Sequence, residues 1–196
     1  MSNKLRTAVL ISGNGGNLQA LLDASRNDES FPAEISLVIS NKPDAFGIVR
    51  AERAGIKTSI INHKNFKTRD GFDHEIHSQL IQNKIEIVCL AGFMRILTAD
   101  FVNKWEGRML NIHPSLLPSF KGGSAVKDAL DFGVKVTGCS VHLVTPEIDS
   151  GEIIMQKAVE VSDEETEESL SEKIHKAEHQ IYPQALKILC NKLKNN

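Results

Sequence analysis

Near the middle of this chain, Asn111-Ile112-His113-Pro114-Ser115-Leu116-Leu117-Pro118 sets a carboxamide and an imidazole two positions apart. The run from Arg108 to His113 reads as a strand end, and at a strand period of two both side chains leave the same face. Pro114 biases His113 toward extended backbone and Pro118 closes the segment, which predicts a rigid loop rather than a helix. Two hydrogen-bond donors held in this way can meet at one carbonyl oxygen. Taken alone, the same residues also fit a turn cap and a satisfied loop histidine.

The elements that must position this pair separate the two readings. Arg6 to Ser12 is a short continuous apolar run of the kind a buried parallel strand needs. Gly13-Asn14-Gly15-Gly16-Asn17 follows and leads into Leu18-Gln19-Ala20-Leu21-Leu22, whose apolar residues have helical spacing. Strand, glycine turn and helix N-terminus in that order form an anion site: free N–H groups and the helix dipole favour negative charge, and glycines admit a phosphate closely. The spacing is neither the dinucleotide fingerprint nor a Walker loop, and a ligand-free turn fits it too.

The alternation then repeats. Strands are predicted at Glu34–Ser40, Lys57–Ile61 and Ile85–Ala91, and helices at Asp44–Ala54, Asp70–Asn83 and Thr98–Trp105. The 70–83 helix is expected to bury Phe72, Ile76, Leu80 and Ile81. Beyond the central loop come a helix at Ser124–Phe132, closed by Gly133, and strands at Val136–Thr145 and Glu152–Val161. The turn Pro146-Glu147-Ile148-Asp149-Ser150-Gly151 makes those two strands an antiparallel hairpin. A long last helix is expected from about Thr166 to Leu193, entered through an acidic, solvated stretch and kinked at Pro183. The predicted fold is therefore α/β, a mostly parallel twisted sheet with helices on both faces and an antiparallel C-terminal hairpin, in one domain over residues 1–196. In such sheets ligands sit beyond the carboxyl ends of the strands, so the glycine loop and the Asn111–His113 pair are brought to one rim.

Composition narrows the classes. Twenty-three basic against 25 acidic residues leave a formal charge of −2, with no basic stripe for nucleic acid. No apolar run is long enough to span a membrane, and the start of the chain has no secretory signal pattern, so a cytoplasmic protein is expected. Cys89, Cys139 and Cys190 are odd in number and scattered, which fits reduced core thiols and not a disulfide or zinc site.

Five stretches together resemble the phosphoribosylglycinamide formyltransferase family. They are Ile11 to Ala20, Ala91-Gly92-Phe93-Met94-Arg95-Ile96-Leu97, Asn111 to Pro118, Asp149-Ser150-Gly151 and Glu178-His179-Gln180-Ile181-Tyr182-Pro183. The resemblance implies the formyltransferase fold and transfer of a formyl group from 10-formyltetrahydrofolate to the amine of 5′-phosphoribosylglycinamide (GAR). It needs no metal and runs by direct amine attack. It implies Asn111 and His113 as oxyanion stabilisers, with His113 the proton donor and Asp149 holding that imidazole protonated. Gly15, Gly16, Asn17 and Glu178 are implied for GAR, and Arg69, Met94, Arg95, Ile96, Leu97 and Asn111 for folate. After Pro118 this chain reads Ser119-Phe120-Lys121-Gly122-Gly123-Ser124-Ala125-Val126, where many members carry a Gly-Leu-His-Thr-like stretch, and no role is carried onto Ser124 or Ala125.

Other formyl-handling relatives, methionyl-tRNA formyltransferase and formyltetrahydrofolate hydrolase, normally append a further domain, for which this length leaves no room. A non-catalytic phosphate-binding module would make the asparagine, histidine and aspartate coincidental. The expected partners are GAR and 10-formyltetrahydrofolate, without nucleic acid or membrane, in a monomer or homodimer. Activity is expected to fall at low pH as the acceptor amine and Asp149 take up protons.

Overall fold

Seven strands in the order β3-β2-β1-β4-β5-β6-β7 form the single sheet of the computed structural model, which describes residues 4–195. In chain order they are β1 (Leu5–Ile11), β2 (Ala33–Ser40), β3 (Lys57–Ile60), β4 (Ile87–Leu90), β5 (Met109–His113), β6 (Val136–Leu143) and β7 (Ile153–Glu160). β1 to β5 pair in parallel, and both β5–β6 and β6–β7 are antiparallel. The antiparallel part thus starts one strand earlier than the predicted hairpin. The order reverses between β1 and β4, which opens a crevice at their carboxyl ends.

Helices α1 (Gly16–Asn27), α2 (Phe46–Arg53), α3 (Arg69–Gln82), α4 (Ala99–Lys104), α5 (Ala125–Phe132) and α6 (Glu167–Lys194) cover the two faces. The long α6 lies over one face, its Leu170, Ile174, Ile181 and Leu186 packing with Leu18, Leu21 and Leu22 of α1 on Val9, Leu110 and Val141. Phe72, Ile76 and Leu80 of α3 pack with Phe101 and Trp105 on Leu10, Leu37 and Met109 of the other face. Ile81 is 56 % exposed, because one step beyond Leu80 turns the side chain about 100° off the buried stripe. Asp73 is buried in that stripe and accepts the N–H of Thr98 at 2.6 Å.

Two boundary differences have visible causes. Ile85 is spent on closing α3: Lys84, at φ 52, donates to Ile81 and Ile85 donates to Leu80, so β4 starts at Ile87. Val144 donates to Met109 at 2.9 Å and then leaves for the 145–150 turn, ending β6 at Leu143. α6 starts in a capping box between Thr166 and Ser169, carries Glu167 and Glu168 in its first turn and runs unbroken through Pro183.

Tyr182 ties α6 to the strands that carry the site. Its buried hydroxyl donates toward the carbonyls of Leu90 (2.9 Å), the last residue of β4, and Leu110 (3.3 Å), the second of β5. Tyr182→Phe is expected to cost about 1–3 kcal/mol, the usual penalty for a buried polar group left without its partner. A urea midpoint equal to wild type at unchanged slope would show that the hydroxyl is dispensable.

Candidate active site

β5 and β6 build a polar ladder on one face of an otherwise apolar pair. Asn111 lies opposite His142, and His113 opposite Ser140. The alternate residues Leu110, Ile112, Cys139 and Val141 point into the core beneath α6. The predicted shared face of Asn111 and His113 therefore exists, and antiparallel register doubles it with two residues of β6. Ser140 holds the loop after His113: its hydroxyl donates to the Ser115 carbonyl at 2.6 Å and accepts the Leu117 N–H at 3.0 Å.

Asp149 reaches this ladder from the turn between β6 and β7, where its φ is 48°. Its Oδ2 lies 3.4 Å from His113 Nδ1 and accepts the Gly122 N–H at 2.9 Å, while Oδ1 lies 3.6 Å from His142 Nε2. His113 Nε2 is 2.8 Å from the Phe120 carbonyl, so acceptors stand at both of its ring nitrogens and both can donate only in the imidazolium. His142 Nδ1 sits 2.8 Å from its neighbour's carbonyl at Leu143, which leaves Nε2 facing Asn111 Nδ2 at 3.2 Å. The bond with His142, the Gly122 N–H and the charge of His113 hold the Asp149 carboxyl down at about 2, against its partial burial. Asp149 therefore stays ionised through the acid range, and it cannot contribute to the expected fall of activity toward pH 5. Any such limb is left to the acceptor amine, a correction to the sequence reading.

Two cavities are lined by alternate parts of the 90–97 segment. One of about 160 Å³ is walled by Arg95, Ile96, Leu97, Val144 and Ile148, with Asn111, His142 and Asp149 at its polar end. The other, about 390 Å³, opens at the β1–β4 crevice and is lined by Gly15, Gly16, Asn17, Lys42, His175 and His179. Met94, expected with Arg95, Ile96 and Leu97, lines this second cavity because the chain turns at Gly92 (φ 70) and carries it to the β1 side. His113 lines neither, being buried behind Asp149.

Within the glycine loop, Gly15 is packed against backbone too tightly for a side chain. Gly15 has φ 76, and a Cβ there would stand 2.8 Å from Gly47 Cα of α2, whose N–H bonds the Gly13 carbonyl at 3.0 Å. Gly15→Ala should therefore cost more than the roughly 1–2 kcal/mol of a left-handed alanine, because backbone must move as well. The readout is a thermal melt, and a melting temperature equal to wild type would refute it. Asn17 donates to Glu178 Oε2 at 2.8 Å, and its own Oδ1 is buried without a partner. Burial pushes the Glu178 carboxyl up, while the Asn17 bond and nearby His175 pull the other way. Burial, then His175 and Arg50, lower the His179 imidazole.

Arg69 is exposed on the first turn of α3 and lines neither cavity, so the structure does not bring it to the other residues singled out above. The sequence reading missed His142, Lys42, His175 and His179. Ser140 and His142 alternate with apolar residues along β6, a signal that gains meaning only once their partner strand is known. His175 and His179 are four apart, one face of a helix, on either side of the Glu178 already selected. Cys89, Cys139 and Cys190 are buried and free, and burial pushes the Cys139 thiol up to about 12, which removes it as a nucleophile. Among the described residues, no cluster of three or more His, Cys, Asp or Glu could hold a metal ion, and no helix is long and apolar enough to cross a membrane.

The sequence model of the formyl transferase family matches residues 5–186. This chain belongs to the formyl transferase family. Within that family, phosphoribosylglycinamide formyltransferase of Escherichia coli is 42 % identical over 179 residues, covering 91 % of this chain and 84 % of its own length. The human trifunctional purine biosynthetic protein adenosine-3 is 55 % identical over 188 residues and 96 % of this chain. The chain spans only 18 % of that protein's length, about one fifth. Among solved formyl transferase structures, glycinamide ribonucleotide transformylase 1 from Symbiobacterium toebii superimposes with a TM-score of 0.94 at 42 % identity, covering 98 % of this chain and 90 % of that one.

Proposed function

We propose that the chain transfers the formyl group of 10-formyltetrahydrofolate to the amine of GAR, in the cytoplasm, as a step of purine synthesis. The observation that carries this reading is the placing of two cavities along one segment, residues 90–97. Asn111, His142 and Asp149 close the polar end of one, and a glycine loop at a helix N-terminus lines the other. The loop and the α1 N-terminus suit a phosphate, Lys42 brings a positive charge toward it, and His175 and His179 bring ring nitrogens that can hydrogen-bond it. Glu178 and Asn17 offer hydrogen bonds to ribose hydroxyls or to the glycinamide. The apolar walls at Ile96, Leu97, Val144 and Ile148 suit the pterin ring, whose donor-acceptor edge main-chain groups can read.

When the amine attacks the formyl carbon, a tetrahedral oxyanion forms. Asn111 carries two N–H donors, one directed at His142, and the second is available to that oxygen. His113, oriented by Asp149, supplies the proton with which the folate nitrogen leaves once the Phe120 carbonyl gives up its Nε2, since it lines neither cavity as it stands. The reading is tested by following 10-formyltetrahydrofolate consumption with GAR supplied or omitted. Consumption that requires GAR and yields formyl-GAR is expected. Equal deformylation without GAR would make the chain a hydrolase and remove GAR from the 390 Å³ cavity.

A further inference from the structure

Ser12 joins the two cavities through its hydroxyl. This buried group, at the end of β1, donates to Asn41 Oδ1 at 2.6 Å and accepts the backbone N–H of Met94 at 2.8 Å. Asn41 is itself buried at the end of β2, and its neighbour Lys42 lines the glycine-loop cavity. On the other side, Met94 opens the segment whose Arg95, Ile96 and Leu97 wall the 160 Å³ cavity. Met94 and Ile96 of that segment are 72 % and 57 % exposed, beyond a glycine at φ 70.

A second set of contacts closes a ring with the first. Asn41 meets His63 Nδ1 through its side chain at 3.3 Å and its carbonyl at 3.1 Å. The His63 ring stands edge-on to Phe72, and Phe72 stacks on Phe93 at a 6° interplanar angle, next to Met94. Phe93 lines the smaller cavity. The chain Ser12, Asn41, His63, Phe72, Phe93 and Met94 therefore returns to its start, and Ser12, which directly precedes the glycine loop in the chain, hydrogen-bonds the 92–97 segment at Met94.

We propose that Ser12 is a positioning residue that couples the two substrate sites. Its hydroxyl fixes the 92–97 segment against the phosphate loop, so that a ligand ordering one loop lowers the cost of ordering the other. This rests on the two cavities being the GAR and folate sites. Coupling of this kind is reciprocal and typically amounts to about 5- to 150-fold in affinity.

The test measures the dissociation constant of tetrahydrofolate, which has no formyl group to transfer, without and with saturating GAR, and the reverse pair for GAR. Wild type is expected to bind each ligand at least about fivefold more tightly in the presence of the other. In Ser12→Ala that factor should fall toward one, and in Ser12→Cys, whose thiol is a weak donor and acceptor of similar size, to an intermediate value. A variant that only loosened the fold would lower the melting temperature and leave the factor unchanged. An unchanged factor in either variant, or a wild-type factor near one, overturns the inference while leaving formyl transfer intact. Wild-type protein that binds tetrahydrofolate but not GAR overturns the site assignment and this coupling with it.

Discussion

Asn111→Ala is expected to lower kcat by about 10²–10³, the usual effect of deleting one oxyanion donor, with little change in the KM of either substrate. The carboxamide acts on charge that exists only at the tetrahedral stage, so its loss should not weaken ground-state binding. The fold should tolerate the change. Asn111 keeps its strand pairing with Leu90 and His142 through the backbone, and its side chain is partly exposed at the polar end of a cavity. The only protein partner lost is His142 Nε2, which still faces Asp149 Oδ1 at 3.6 Å. Steady-state kinetics with a thermal melt separate the outcomes. A kcat within threefold of wild type would remove Asn111 from the oxyanion role, and a collapsed melting temperature would make it structural.

The sheet was legible because its buried strands are written as apolar runs: Thr7 to Ile11, Ser36 to Ile39 and Ile87 to Leu90 can lie nowhere but inside a covered sheet. The chemistry at Asn111 and His113 was legible for a related reason, since a period of two gives their shared face without knowledge of any partner strand. Asp149 was tied to them through the family resemblance, and the structure supplies the means: a turn bends it back over the ladder it follows. His142 needed more. Its role depends on the antiparallel register that sets it opposite Asn111, a contact 31 positions away that no local pattern encodes. Ser12 escaped notice for the same reason, because its hydroxyl bonds reach 29 and 82 positions along the chain. Ile81 shows the opposite error, an apolar residue at a helix end that lies off the buried stripe, while Ile85 is buried but its backbone closes α3 instead of starting β4.

Asp149→Asn should be as damaging, by about 10²–10⁴ in kcat, the range associated with a misplaced general acid. The substituted side chain is nearly isosteric, and its oxygen is expected to stay on the Gly122 N–H, where an NH2 would set donor against donor. The amide nitrogen then faces His142 Nε2, whose lone pair the Asn111 N–H already meets, so it gains no partner there. What disappears is the negative charge at His113 Nδ1, so the imidazolium loses the group that favours it over a neutral ring. The proton donor then loses the carboxylate that orients it, and kcat falls. The same charge also sets an acid-stability window. Because the folded-state pKa lies below the ordinary value, near 2 against 3.8, the carboxylate stabilises the fold above about pH 4, and that contribution is lost as pH falls through 2. Asp149→Asn should therefore be less stable than wild type at neutral pH and converge with it near pH 2, read as urea midpoints across that range. Equal kcat at neutral pH, or a stability difference that does not shrink with acid, would show that Asp149 holds neither the charge of His113 nor the turn in place.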